Sequence, residues 1–290
     1  MSGLRFGYGT NGFADHRLGD VLAVLADLGY DGVALTLDHM HLDPYDAGLA
    51  RRVDDVASRL DALGLAVVVE TGARYVLDPW HKHQPTLLSD EGAGGRDRRL
   101  DLLRRAVRIG ADLGAEAVSF WSGTPQPEVT DEVAWQRLVD GCADVLEVAR
   151  EHGVPLGFEP EPGMLVDTLA RFDALRTALG SPPWFGLTLD IGHCRCLEPE
   201  RAEVCVHQRG DVLVNVQIDD MRRGVHEHLP FGEGEVEFPP VLGALLDVGY
   251  RGLVSVELPR HSHSAPLLAA RSIGFLREAL ARASRTEVTA

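Results

Sequence analysis

No apolar run in the chain approaches the roughly 18 residues that a bilayer-spanning helix needs, and no charged-then-apolar leader opens it. Those two absences argue against a membrane protein and make a cytoplasmic location the expectation. Basic residues are also scarce: 28 Lys and Arg face 44 Asp and Glu, for a net charge of −16. Nucleic-acid binding depends on Lys and Arg neutralising phosphates, so this balance speaks against a nucleic-acid partner. Cysteine is limited to Cys142, Cys194, Cys196 and Cys205, with no CxxC pair, so reduced thiols are expected rather than a disulfide frame. There is no GxGxxG after the first strand-like run to support a dinucleotide fold. No Pro-, Gly- or Ser-rich linker divides the 290 residues. Residues 1–283 therefore read as one domain, and 284–290 as a flexible tail.

What remains is a regular alternation. Short aliphatic and β-branched runs occur at Leu4–Tyr8, Val33–Leu37, Ala66–Glu70, Ala117–Trp121, Pro155–Glu159, Phe185–Asp190, Leu213–Gln217 and Leu253–Glu257. Nearly continuous apolar runs of this length suit strands covered on both faces. Amphipathic stretches lie between them, among them Leu18–Leu28, Asp131–Arg150 and Ser264–Leu280. Gly29, Gly64, Gly114, Gly153 and Gly249 each follow a helical pattern, where a left-handed residue would stop the helix. Eight strands alternating with helices in a chain of this length predict a single (β/α)8 TIM barrel with a parallel eight-stranded sheet. Two long insertions, Ala73–Arg96 and Met221–Pro240, follow the third and seventh strands, where barrel loops build or cover an active site.

Chemistry concentrates at the strand ends. Glu70, Glu159, Asp190, Gln217 and Glu257 close five of the predicted strands. In a parallel barrel those ends share one face. Carboxylates crowded there repel one another unless a cation neutralises them, and oxygen ligands suit Mg²⁺, Mn²⁺ or a similar metal. His193 lies three residues past Asp190, just over the rim, where it could touch metal or substrate. His226 and His228 lie in the insertion after the seventh strand, in an HxH pattern able to ligate a metal. Trp121 closes the fourth strand and Trp80 lies in the first insertion, and an aromatic face there could stack on a sugar ring. His261 and His263 read as solvated loop residues. Arg74, Arg222, Arg223 and Arg260 fall in mouth-side loops and could bind an anion.

At these residues the chain resembles the xylose-isomerase-like barrel superfamily, which includes sugar isomerases and epimerases, inosose dehydratases and three-zinc apurinic endonucleases. The likeness spans nearly the whole chain and rests on Glu159-Pro-Glu161, Asp190-Ile-Gly-His193, Gln217-Ile-Asp-Asp220, the run from His228 to Gly234, and Glu257, in that order. The resemblance implies one divalent ion (Mn²⁺, Mg²⁺, Co²⁺ or Zn²⁺) held by Glu159, Asp190, the Gln217 position and Glu257. Gln217 departs from the pattern, because the isomerase and epimerase branch carries histidine there. Either its amide oxygen remains a ligand, or a loop histidine such as His226 replaces it, or the site is weakened.

The implied partner is a small sugar or keto-polyol. Glu159 and Glu257 would form an acid–base pair working through an enediolate, with His193 stabilising developing charge. Trp121, Glu70, His228, Glu161 and His193 would contact substrate, Glu161 also orienting ligands. Superfamily members form dimers and tetramers, so the resemblance extends to a homo-oligomer. Three alternatives to an isomerase or epimerase stay open on the sequence: a metal-dependent lyase acting on a keto-cyclitol, a metal-dependent hydrolase, and a non-catalytic sugar-binding subunit. Against the hydrolase, Glu70 and Trp121 stand where the endonuclease branch carries histidines.

Overall fold

A computed structural model of the chain describes residues 3–90 and 95–286. Eight parallel strands close into a barrel: β1 (Arg5–Gly9), β2 (Gly32–Thr36), β3 (Ala66–Glu70), β4 (Val118–Phe120), β5 (Leu156–Phe158), β6 (Phe185–Asp190), β7 (Leu213–Ile218) and β10 (Leu253–Val256). Neighbours in sequence are neighbours in the sheet, and β10 closes the ring on β1, pairing Arg5 with Leu253 and Tyr8 with Val256. Each predicted strand is present, within a residue or two at its ends. Glu159 and Glu257 follow the last paired residues of β5 and β10 directly, so their side chains emerge at the mouth.

The helices form the outer layer: α1 (Leu18–Asp27), α2 (Leu49–Leu63), α3 (Arg96–Asp112), α4 (Asp131–His152), α5 (Leu169–Ala178), α6 (Ile191–Leu197), α7 (Ala202–Arg209), α8 (Phe238–Asp247) and α9 (Ala265–Thr286). The five predicted stop glycines all take the left-handed conformation, with φ between 65° and 78°. Helix α9 runs three residues into the segment read as a tail, and residues 287–290 lie outside those described. Among the described residues no helix is long and apolar enough to cross a membrane. All four cysteines are buried and unpaired, as expected.

The core lies mainly between the barrel's outer wall and the helices, where apolar strand residues meet the buried stripe of each helix. Phe120, Phe158 and Phe185 project from three adjacent strands, and Phe172 of α5 stacks on Phe185 with centroids 6.2 Å apart. Inside the barrel the character changes with height. Val68, Ala117 and Leu253 form a small apolar plug. Above it the lining turns polar: Asn215 donates to Glu70 at 3.1 Å, and the Thr188 hydroxyl donates to that of Ser119 at 3.0 Å. Buried polar groups of this kind are tolerated because they satisfy one another, and they form the floor of the mouth.

The insertion after β7 is not an irregular loop. It folds as an antiparallel hairpin, β8 (Asp220–Arg222) and β9 (Val225–Leu229), lying beside the mouth. Asp220 ties it down. This buried carboxylate accepts three backbone N–H groups, from Gly232, Gly234 and Val236, each at 2.9 Å. A Cβ at Gly234 would stand 2.3 Å from Asp220 Oδ1, so only glycine lets the chain approach this closely. Asp220→Ala removes a charged acceptor and strands three donors. A loss of about 3 kcal/mol, on the scale of hydrogen bonds to a buried charge, is expected in urea unfolding; a midpoint unchanged from wild type would contradict this anchoring role.

Candidate active site

The ends of β3, β5, β6, β7 and β10 converge on a cavity of about 680 Å³ lined by Glu70, Trp121, Glu159, Glu161, Gln217, His226, His228 and Glu257, among others. Asp190 and His193 lie beside it, Asp190 close to Glu159 and Glu257 and His193 close to His226. Carboxylate oxygens of Glu159, Asp190 and Glu257 lie within 4.8 Å of one another. Glu159, Asp190 and Gln217 are buried, and Glu257 is half-buried.

Local sequence explains how each group is held. Asp190 is the last residue of β6 and the N-cap of α6: one oxygen accepts the backbone N–H of His193 at 3.0 Å, as cap positions favour. Its other oxygen, Oδ2, is buried and has no hydrogen-bond partner. Gln217 Oε1 is likewise buried and unpartnered. Two orphaned acceptor atoms beside crowded carboxylates are what a cation would satisfy, because an unpaired buried acceptor is costly. The donor set, three carboxylates and an amide oxygen, therefore fits a divalent metal.

The histidines are oriented by groups behind them. His193 Nδ1 donates to the Pro160 carbonyl at 3.1 Å, which turns Nε2 towards the cavity. That atom lies 3.2 Å from His226 Nε2 and 3.9 Å from Glu161 Oε2. His228 is held through Nδ1 by the buried carboxylate of Asp219. Asp219 in turn presses on α6: a Cβ at Gly192 would stand 1.9 Å from its Oδ1. That explains the glycine of Asp190-Ile-Gly-His193. His193, His226 and His228 also bring ligand atoms within 4.8 Å of one another, a second grouping able to hold an ion.

Burial sets the electrostatics. It pushes Glu159 well above the ordinary carboxylate range, with Glu161, Glu257, Glu70 and Asp190 adding repulsion. Glu257 is raised by burial too, against the pull of His228. Burial acts upwards on Asp190 as well, but His193, His228 and the N–H cap outweigh it and hold this carboxyl low. Burial would lower His228, yet Asp219, Glu257 and Asp190 reverse that and lift it to about 10. His193, by contrast, is pushed down by burial to about 4 and stays neutral. The site thus pairs neutral-tending acids with an ionised Asp190 and a proton-bearing His228.

Trp121 lines the cavity with one face covered by the Arg99 guanidinium, 4.2 Å from the ring centroid, while the His83 ring meets it edge-on at 5.4 Å. Trp80 is 85% exposed and does not line the cavity. The Arg222 guanidinium donates to the Glu233 carbonyl and that of Arg223 to the Glu198 carbonyl, and neither residue lines the cavity. His261 and His263 also lie off it. Sequence reasoning gave no role to three residues that the structure brings in: Asp219 behind His228, Asn215 beneath Glu70, and Asn11, which donates to Glu257 at 2.9 Å. Asp219 had a signal, since it follows Gln217 by two residues in a strand-end motif. Asn11 lies in a 3₁₀ turn after β1 and had none.

The family model for the xylose isomerase-like TIM barrel matches residues 22–279. The chain belongs to that family. Within it, L-ribulose-5-phosphate 3-epimerase UlaE of Escherichia coli is 24% identical over 273 residues, covering 92% of this chain and 91% of its own. Among solved structures, an L-ribulose 3-epimerase superposes with a TM-score of 0.77 at 21% identity, over 99% of this chain and 97% of that one. A 3-keto-D-glucoside 4-epimerase, YcjR of E. coli, gives a TM-score of 0.76 at 16% identity, over 95% and 99%. At these identities the structural matches speak for the barrel family's fold.

Glu70 and Glu161, both raised by burial to about 8 from an ordinary 4.5, carry a consequence for stability. Across that window these two groups hold protons that the unfolded chain has released, while His83, His193 and His226, lowered in the folded chain, act oppositely up to about pH 6.5; from there stability falls as pH rises towards 8. The melting temperature of EDTA-treated protein is expected to drop by several degrees over this range, and added Mn²⁺ to flatten the slope. A metal-free melting temperature that climbs across this range would refute the assignment of these two shifts.

Proposed function

We propose that the protein is a divalent-metal-dependent epimerase or isomerase of a sugar or keto-polyol. The observation that carries this is the pair of raised carboxyls, Glu159 and Glu257, flanking the orphaned oxygens of Asp190 and Gln217 in one cavity. Glu159, Asp190, Gln217 and Glu257 are the residues that would hold the ion. Bound there, the metal would polarise a substrate carbonyl and acidify the neighbouring C–H. The epimerase names of the relatives support the same reading.

Glu159 and Glu257 enter from β5 and β10, on different sides of the barrel mouth, so a substrate carbon between them meets a carboxylate on either face. One, ionised, removes the proton to give an enediolate; the other, starting protonated, delivers its own proton to the opposite face for epimerisation, or the first returns its proton to the neighbouring carbon for isomerisation. His228, holding its proton, and His193, fixed by Pro160, hydrogen-bond the substrate oxygens and stabilise charge that develops on them. Glu161 orients His193 and His226 through their Nε2 atoms from the cavity side. Trp121 offers its uncovered side to the sugar.

The early steps of a dehydratase would use the same residues, and loss of water from the substrate separates that outcome. The grouping of His193, His226 and His228 favours a second reading, a hydrolase with more than one metal. Elemental analysis of the purified protein distinguishes them. One Mn, Mg, Co or Zn per chain is expected, lost in Glu257→Gln, and two or more ions would redirect the assignment to hydrolysis. Glu159→Gln and Glu257→Gln are each expected to lower incorporation of solvent deuterium into ketose substrates by at least about a hundredfold with unchanged circular dichroism. Near-normal exchange in both would sink the acid–base pair. Gln217→His is expected to strengthen binding of Co²⁺ and Zn²⁺ relative to Mg²⁺, because imidazole is the softer ligand.

A further inference from the structure

The cavity lining also carries cations. Arg74, Lys82 and Arg260 line the same cavity as Glu159 and Glu257, from the loops that follow β3 and β10. Arg74 is fixed: its guanidinium donates to the Asn11 carbonyl at 3.0 Å and the Pro259 carbonyl at 3.4 Å. The loop that carries it is held in an unusual shape. Ala73, Arg74 and His83 all have positive φ, and the His83 N–H bonds the Arg74 carbonyl at 2.6 Å. Non-glycine residues persist in that conformation only where their surroundings over-determine it, which is frequent at ligand clamps.

Lys82 and Arg260 are exposed at the rim, and neither has a hydrogen-bond or ion-pair partner among the described residues. Arg104, Arg195, Arg201 and Arg209 are each paired with a carboxylate on the surface. At the mouth, with carboxylates close by, the cations stay unpaired and act on one another: burial and then Arg74 and Arg260 hold the Lys82 ammonium below its ordinary value. Glu161 pulls Lys82 the other way and Arg74 acts on Glu257, but three cations gathered at one mouth also make a receptor for an anion, which a neutral sugar does not supply.

We propose that the substrate carries an anionic group, a phosphate ester or a carboxylate, received by Arg74, Lys82 and Arg260 while the hydroxy-ketone portion of the same molecule meets the carboxylate cluster. Arg74, the fixed member, gives orientation. Lys82 and Arg260, free to move, close on the anion from the rim. The inference rests on the epimerase reading and narrows its substrate class to acidic sugars.

Binding of ribulose 5-phosphate, ribulose and fructuronate to the metal-containing protein, measured by isothermal titration calorimetry, tests it. The phosphate ester or the uronate is expected to bind at least tenfold more tightly than ribulose, with affinity falling as salt is added; whichever of the two prevails names the anion. The Lys82→Glu/Arg260→Glu variant is expected to abolish that preference, and Lys82→Ala/Arg260→Ala serves if charge reversal disturbs folding. Equal affinity for all three compounds, or a preference that survives both variants, would overturn the proposal. Solvent-deuterium exchange into each bound compound is read separately. An anion preference without exchange keeps the cationic subsite and removes the epimerase chemistry, whereas exchange without an anion preference does the reverse.

Discussion

Mutual repulsion among buried carboxylates is the constraint around which the mouth of this barrel is organised. Glu70, Glu159, Glu161, Asp190, Asp219 and Glu257 all stand in or beside one cavity, and burial drives most of them towards their neutral forms. A fold does not keep such a cluster for stability, since desolvating like charges together is unfavourable. The surroundings manage it by small local means. Asn215 and Asn11 each donate to one glutamate, the α6 N-cap takes up half of Asp190, and Asp219 is matched to His228. Among the buried oxygens left without a hydrogen bond are Asp190 Oδ2 and Gln217 Oε1, and these mark where a cation would sit.

The hairpin after β7 shows how the barrel extends its chemistry beyond strand ends. Strand β9 carries His226 and His228 back over the cavity, and Asp220 anchors the chain that follows. Consecutive residues divide the work: Gln217 faces the cavity, Asp219 sets a histidine, and Asp220 holds the loop. Two glycines, Gly192 and Gly234, make room for those two aspartates. The motif therefore encodes a packing arrangement as much as a set of ligands.

Much of this was legible in the sequence, and for definite reasons. The strands were visible because each is buried on both faces and so reads as a nearly continuous apolar run, five of them ending in a polar residue. The stop glycines were visible because a left-handed cap leaves little choice of residue. The hairpin was not, because Val225-His-Glu-His-Leu229 alternates too weakly over too few residues to separate strand from loop. Asn11 was hidden for a different reason: it reaches Glu257 across 246 positions of sequence, a contact that exists only once β10 closes on β1. Which arginines face the cavity was equally out of reach. Arg74 and Arg260 do and Arg222 and Arg223 do not, and the difference arises from loop paths that no local pattern records.

Gln217 has an effect on when the proposed metal can be held. Metal ligands compete with protons, and an imidazole begins to lose that competition as pH falls through the sixes. An amide oxygen has no proton to exchange in that range. With glutamine in place of histidine, metal occupancy would be governed by the carboxylates alone, and Asp190, already ionised by its neighbours, would give the ion a foothold in mildly acidic surroundings. The substitution that weakens the attraction for softer metals would thereby remove one group at which a proton could displace the ion, leaving that competition to the carboxylates.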